Sequence, residues 1–284
     1  MKKYLVTGGA GFIGSYIAKS LKSQGHEVVI FDIRKNPKDN VRDIERLKKA
    51  SKGCDGIFHL AAIASVQYSI DFPQETFAVN FEGTLNVLEA ARVNKIRRVV
   101  YSSSSAVYGA QKTFPTKETA ECRPQSPYAL QKHMSEALCV MYSNLFNVET
   151  VCLRYFNVYG KGQSSTGTYA SVIAKFLDLN KNGKPFTITG DGKQTRDFIH
   201  VSDVVKANIS AMKAPASVSG QSFNIGSGKQ TSVNDVARII GGPVEKVPAR
   251  IEPKNSCANI AKAKKILKWS PKMPFARGLG DLMA

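Results

Sequence analysis

Residues Thr7–Ser15 read TGGAGFIGS, a glycine-rich turn between the apolar run Tyr4–Thr7 and the helix-like stretch Phe12–Lys22. Within it Gly9, Gly11 and Gly14 form a GxGxxG string, and Gly8 adds a further glycine. Alone, such a string says little. After a strand and at the opening of a helix, its glycines allow a tight turn, close approach of backbone to a pyrophosphate, and contact of helix on strand. The helix N-terminus then offers unpaired N–H groups and a positive dipole end to phosphates, and this context disfavours an ordinary strand-to-helix turn. His26–Asp32 reads as a second strand and completes a βαβ opening. Asp32 closes it about 20 residues on, where a carboxylate accepts both ribose hydroxyls of a dinucleotide's adenosine half. That favours NAD over NADP. Arg34 and Lys35, directly beyond, offer charge for a 2′-phosphate, and a solvated strand-end Asp is the plainer alternative.

The alternation continues outward. Apolar runs at Gly56–Ala61, Val99–Ser102 and Val148–Arg154 are separated by helix-like segments, notably Glu75–Val93 and Tyr128–Phe146. Strand and helix in turn imply an α/β chain with a Rossmann-type, doubly wound parallel sheet. Asp39 or Asp43 is placed to cap a helix through Ile44 and Leu47. After Tyr159 the pattern loosens into KGQSSTG, a helix around Val172–Asn180 and a turn-rich GKPFTITGDGKQTRDF segment; the C-terminal segment Ala261–Trp269 is again helical, ended by the prolines of SPKMPF. This predicts a dinucleotide-binding unit, residues 1–160 plus roughly 196–230, and a smaller α/β substrate-binding unit, residues 161–195 plus roughly 231–284. No Pro/Ser-rich linker parts them, so they are expected to share a cleft.

The chain's 284 residues suffice for one or two domains with a packed core. Hydrophobic residues at 43% and charged residues at 22% are globular values, and no apolar run reaches the roughly 18 residues of a membrane span. The opening MKKYLVTGG lacks the features of a signal peptide. Cys54, Cys122, Cys139, Cys152 and Cys257 are scattered, with no CxxC pair and no His at zinc spacing, which argues against a disulfide framework or a metal and for a reducing cytoplasm. The formal charge of +18 is the one unusual number. It suits an anionic ligand, a nucleic acid or solubility alone; dispersed lysines, with short clusters at Arg46–Lys49 and Lys262–Lys265, favour a solvated surface.

Tyr128–Lys132 reads YALQK behind Ser126-Pro127, a helix start, so Tyr128 and Lys132 share one helix face. A phenol titrates near pH ~10, and its use as a base near neutrality requires positive charge, which a lysine at i+4 and an oxidised nicotinamide supply. Packing along a surface helix is the plain alternative. Upstream, Val99–Tyr101 runs into SSSSAVYG, Ser102–Gly109, which sets hydroxyls at the carboxyl end of a central strand, where open α/β sheets bind ligands. Spacing does not choose among these serines.

TGGAGFIGS, FHLAA at Phe58–Ala62, SSSSAVYG, SPYALQK, LRYFNVYG at Leu153–Gly160 and RDFIHVSDVV at Arg196–Val205 follow in order over nearly the whole chain. Together they resemble an extended short-chain dehydrogenase/reductase of the NAD-dependent epimerase/dehydratase family, of the UDP-glucose 4-epimerase type. The resemblance implies that Tyr128 is the base, that Lys132 holds the nicotinamide ribose and lowers the Tyr pKa, and that Ser104 hydrogen-bonds the sugar hydroxyl, with Ser103 nearer the nicotinamide. It implies further NAD contacts from Gly8, Gly11, Phe12, Ile13, Gly14, Asp32, Asn40, Val41, Leu60, Ala61, Ala62, Asn80, Ser102 and Tyr155, and UDP-sugar contacts from Asn157, Val172, Arg196 and Arg250. For Arg196 it implies a diphosphate clamp, against which stands an ion pair with Asp197 or Asp203. The implied reaction is oxidation at C4 of a UDP-sugar with hydride passed to tightly held NAD+, rotation of the 4-keto sugar, and return of hydride to its opposite face. A homodimer through Glu75–Val93 and Tyr128–Phe146 follows by analogy.

The chain also departs from the family pattern. Asn40-Val41-Arg42-Asp43 stands where many relatives have a GDIRD-like string, so an amide replaces the acid that faces the adenine amine. Arg250-Ile251-Glu252 is one residue shorter than the usual R-x-G-D; the resemblance implies a phosphate contact for Arg250 and a uridine-ribose contact for Glu252. Ser105-Ala106 occupies the place of the Asp-Glu of dehydratases and the Ser-Glu of decarboxylases, which disfavours loss of water or carbon dioxide. Ser256 in NSCAN is small where a Tyr would close the sugar pocket, so a 2-acetamido or C6-carboxylate sugar is expected to fit as well as glucose. A nucleic-acid-binding protein on this fold is the competing class, motivated by charge; the chain lacks RRM, KH, zinc and helix-turn-helix signatures, and that role leaves the Ser, Tyr and Lys set unused.

Overall fold

The computed structural model describes residues 1–164, 171–248 and 254–283. The apolar runs form β1 (Lys3–Thr7), β2 (Glu27–Phe31), β3 (Gly56–His59), β4 (Arg98–Ser104) and β5 (Glu149–Tyr155), with Gln221–Ile225 at one edge. They make one six-stranded sheet in the order Gln221–Ile225, β5, β4, β3, β1, β2, every pair parallel. β3 is buried along its whole length, as a strand covered on both faces must be. The strand order reverses between β1 and β3, which opens a crevice at their carboxyl ends.

On one face α1 (Phe12–Ser23) sets Ile17 and Leu21 into a core with Val6, Phe58 and Val100. On the other, helices Ile44–Ser51, Gly83–Val93 and Pro127–Leu145 bring Leu47, Val87, Leu88 and Tyr142 onto Leu5, Ile57 and Val99. Asp43, not Asp39, caps Ile44–Ser51, accepting from the Arg46 amide at 3.0 Å. Ser126 caps Pro127–Leu145 through the Ala129 amide, with Pro127 in the first turn.

Two helices differ from their sequence reading. Glu75–Val93 divides into Pro73–Phe77, a π turn at Ala78–Glu82, and Gly83–Val93. In the π turn the Asn80 carbonyl accepts from the Thr84 and Ser135 hydroxyls, so side chains enter the helical ladder. The helix that opens at Ala261 stops at Ile266, short of Trp269, and a further helix, Phe275–Met283, follows it: Lys268 takes φ 52° and Trp269 turns inward, its indole N–H donating to the Asp203 carbonyl at 2.9 Å.

A second core gathers Tyr159, Phe176, Phe186, Phe198, Val236 and Leu279. Around it run three strand pairs: Phe186–Thr189 with Val244–Val247, Thr195–Arg196 with Thr231–Ser232, and Asn157–Tyr159 with Phe198–His200. Ala258, Ala263 and Trp269 pack back onto the first core. Among the described residues no helix is long and apolar enough to cross a membrane.

Candidate active site

The crevice beside β1 contains a cavity of about 510 Å³, the size of a small-ligand site. Its floor is backbone. Gly8 has φ +67°, and a Cβ there would lie 2.7 Å from the Ala61 amide nitrogen; a Cβ on Gly14 would lie 2.2 Å from the Gly8 carbonyl oxygen. No side chain caps α1 at Gly11, which leaves its N-terminus to a ligand. Asp32 is buried in the wall, one carboxylate oxygen accepting from the Ala10 amide at 2.9 Å and the other from the Arg34 amide at 2.8 Å. Arg34, Asn40, Val41 and Arg42 line the same end. A glycine cradle, an open helix end and a fixed acid within one cavity fit the dinucleotide that the sequence implied.

The other end is made of side chains. Lys132 is buried, donates to the Ser102 carbonyl at 2.8 Å, and lies 4.8 Å from the Tyr101 ring centre and 5.9 Å from that of Tyr128. Burial lowers its pKa to about 8, so the side chain remains a cation at neutrality. Burial pushes the Tyr128 phenol up, and the Ser104 hydroxyl, within hydrogen-bonding reach, draws it down. Lysine proximity alone therefore does not bring Tyr128 into the neutral range. Tyr155 shares hydrogen bonds with Ser102 at 3.0 Å and Asn208 at 2.9 Å, and burial lifts its phenol to about 12. His59 lies behind the cavity between the Thr7 and Thr84 hydroxyls, and burial lowers its pKa to about 3, which keeps it neutral.

Of the residues expected to touch the cofactor, the cavity brings together Gly8, Gly11, Phe12, Ile13, Gly14, Asp32, Asn40, Val41, Leu60, Ala61, Ala62, Ser102, Ser103, Tyr128, Lys132 and Tyr155. Asn80 is absent from the lining. It stands one layer behind, accepting from the Ile63 amide and donating to the Gln131 side chain. Asn157, Val172 and Arg196 do not line this cavity either. Asn157 bonds the Asp197 carbonyl, Val172 opens a helix packed on the second core, and Arg196 donates to the carbonyls of Thr195 at 2.9 Å and Lys254 at 3.4 Å. The Asp197 carboxylate accepts from Ser227, Gly228 and Ala258, and that of Asp203 from Lys206 and the Lys272 and Met273 amides. Arg250 and Glu252 lie outside the described residues.

Sequence reasoning missed Ile63, Ala64, Glu75 and Val79 in the lining, and a buried pair, Glu136 with Arg154. Glu136 had a legible signal: it follows Lys132 by four residues and Tyr128 by eight, on the same helix face.

Comparison with known proteins agrees with this geometry. The profile of the NAD dependent epimerase/dehydratase family matches residues 4–226. A putative UDP-glucose 4-epimerase of Methanocaldococcus jannaschii is 37% identical, over 97% of this chain and 95% of its own length. A UDP-N-acetyl-alpha-D-glucosaminuronate decarboxylase of Bacillus cytotoxicus is 34% identical, over 99% of this chain and 96% of its own. Among solved structures, UDP-glucose 4-epimerase of Thermotoga maritima with UDP-glucose superposes with a TM-score of 0.91 at 33% identity, covering 98% of this chain and 96% of that one. The chain is an enzyme of the NAD-dependent epimerase/dehydratase family.

Proposed function

We propose that the protein is an NAD-dependent 4-epimerase of a UDP-sugar. The observation that carries this reading is that Tyr128 and Lys132 line one end of the cavity, with the Ser104 hydroxyl, itself outside the lining, within reach of the phenol, while Ser105-Ala106, directly after Ser104, supplies no carboxylate. Elimination of water needs an added acid at such a place, whereas inversion needs only one proton-transferring group and a reversible hydride carrier. NAD+, held by the glycine cradle and Asp32, would supply that carrier. Tyr128 Oη would take the proton of the sugar's C4 hydroxyl and return it after inversion, with Ser104 Oγ orienting that hydroxyl. Lys132, cationic and desolvated, would steady the phenolate.

In this reading Asn157, Val172 and Arg196 would contact the UDP portion, as would Arg250, which lies outside the described residues, and Ser256 would leave room beside the sugar. Ser256 is partly buried and precedes Cys257, whose carbonyl accepts from the Thr116 amide at 2.8 Å. The expected substrates include UDP-N-acetylglucosamine and UDP-glucuronate beside UDP-glucose, and Ser256→Tyr would exclude the larger ones selectively. Exposed Leu130, Val140, Met141 and Leu145 on Pro127–Leu145, with Leu85 and Val93 on its neighbour, suit a homodimer, which light scattering on the purified protein tests.

Proton NMR of the protein with NAD+ and each UDP-sugar tests the reaction. Inversion seen in the sugar's H4 couplings, lost in Tyr128→Phe, is the expected result. Loss of carbon dioxide from UDP-glucuronate, or no inversion of any UDP-sugar, would overturn it.

A further inference from the structure

Tyr128, Lys132 and Glu136 succeed one another at four-residue spacing along Pro127–Leu145, and each meets one serine at the end of β4. Tyr128 reaches the Ser104 hydroxyl, Lys132 donates to the Ser102 carbonyl, and the Ser103 hydroxyl donates to Glu136 Oε1 at 2.5 Å. Glu136 is itself held by Arg154 of β5, whose Nε and Nη2 reach its two oxygens at 2.9 and 2.6 Å. Arg154 Nη1 donates to the Tyr108 hydroxyl at 2.9 Å, which donates to Asn224 Oδ1 at 2.7 Å. The Asn224 amide in turn holds the Thr116 and Asn259 carbonyls. Tyr128, Lys132, Ser102, Ser103, Glu136, Arg154, Tyr108 and Asn224 are all buried, and Thr116 and Asn259 join through backbone, so the acid is clamped from behind by three further elements.

We propose that Glu136, clamped by Arg154, is a positioning residue that fixes the Ser102–Ser104 strand end against the helix face carrying Tyr128 and Lys132. This rests on the reading of Tyr128 as the proton-transferring group. A buried ion pair is weak ground for stability, since an apolar pair of equal volume often serves as well. What an apolar pair cannot supply is a fixed acceptor for the Ser103 hydroxyl. With Ser103 tied, strand and helix hold one register, and the Ser104 hydroxyl, next along the chain, stays at the phenol. The charged groups that share the cavity with Tyr128 are Lys132, Arg34 and Arg42 on the positive side and Asp32, Asp39 and Glu75 on the negative. None of them belongs to the clamp.

The test uses the full chain labelled with [ζ-13C]tyrosine, with the Tyr128 resonance assigned by Tyr128→Phe and titrated with and without NAD+. Ser103→Ala cuts the tie while leaving Glu136 and Arg154 paired, and Ser103→Thr keeps the hydroxyl. Ser103→Ala should raise the Tyr128 midpoint by roughly half a unit to one unit, the worth of a lost hydrogen bond. It should move the acid limb of turnover the same way and lower turnover at neutral pH about tenfold, a modest misplacement. Ser103→Thr should restore the wild-type midpoint. A folded Ser103→Ala protein with an unchanged Tyr128 midpoint would overturn the proposal. If the wild type inverts no UDP-sugar, the functional reading fails, and the midpoint, read without any sugar, still decides the role of Glu136.

Discussion

The two ends of the cavity solve opposite problems. At the Gly8–Gly14 end the wall is backbone, and room is scarce enough that one added Cβ strikes a peptide: 2.7 Å to Ala61 from Gly8, 2.2 Å to Gly8 from Gly14. At the Ser102–Lys132 end the wall is side chain, and what is scarce is solvation: Lys132, Tyr155 and Tyr128 all titrate away from their ordinary values through burial. The first end should therefore fail by added volume and the second by altered polarity, and substitutions can set the two against each other.

The largest effect is expected from Tyr128→Phe, which keeps the volume and removes the proton-transferring oxygen. Turnover should fall about 10³-fold or more with NAD+ affinity within a few-fold of wild type, as read by NMR inversion rates and calorimetry. Loss of affinity in parallel would break the comparison, because the reactive end would then also be governed by fit. Gly8→Ala is the reverse case. An L-residue at φ +67° is strained before its Cβ meets Ala61, so a stability loss of about 2 kcal/mol or more and a drop in NAD+ affinity of about 100-fold are expected. Urea unfolding and calorimetry check both, and a protein of wild-type stability that binds NAD+ normally would contradict the cradle.

The same contrast decides what was legible in the sequence. Glycine needed for backbone geometry leaves its mark in the chain, so TGGAGFIGS announced both turn and cradle; the alternating apolar runs announced the parallel sheet, because β3 and β4 are buried on both faces. Tyr128 and Lys132 were legible because i+4 spacing on a capped helix places them on one face. The π turn at Ala78–Glu82 was not, since hydroxyls of Thr84 and Ser135, the latter far along the chain, take the Asn80 carbonyl. Nor was the Glu136–Arg154 clamp, whose partners meet only when the helix Pro127–Leu145 lies against β5. Nothing in periodicity distinguishes a buried arginine from a surface one.

Lys132 allows a finer test. Its pKa falls from an ordinary value near 10.5 to about 8 on folding. A cation whose folded pKa is depressed burdens the fold fully below the folded value, and the burden is relieved as pH rises from about 8 to 10.5. At neutral pH that burden is roughly 3 kcal/mol, offset in part by the bond to the Ser102 carbonyl and by the Tyr101 face. Lys132→Met should then raise stability at pH 7 by about 1–2 kcal/mol while turnover collapses, and the stability gap between variant and wild type should narrow toward pH 10. Destabilisation by Lys132→Met would mean that the reactive end is bound by packing, like the cradle.

The smallest effect concerns Asp32, a side chain in the backbone-built end that acts by charge. Both Asp32 oxygens already accept amide protons, from Ala10 and Arg34, so the carboxylate is oriented before any ligand arrives. Asp32→Asn keeps the size but offers one acceptor oxygen, leaving one of those amides opposite an NH2 group. It also removes the negative charge that would repel a 2′-phosphate, with Arg34 and Arg42 on the same wall to attract one. The expected outcome is a loss of NAD+ affinity of about tenfold with NADP+ affinity held or improved, so the ratio of the two narrows in calorimetric titration. A ratio that does not move would place the ribose away from Asp32, and preference between the two dinucleotides would then be one more property of shape at this end of the cavity.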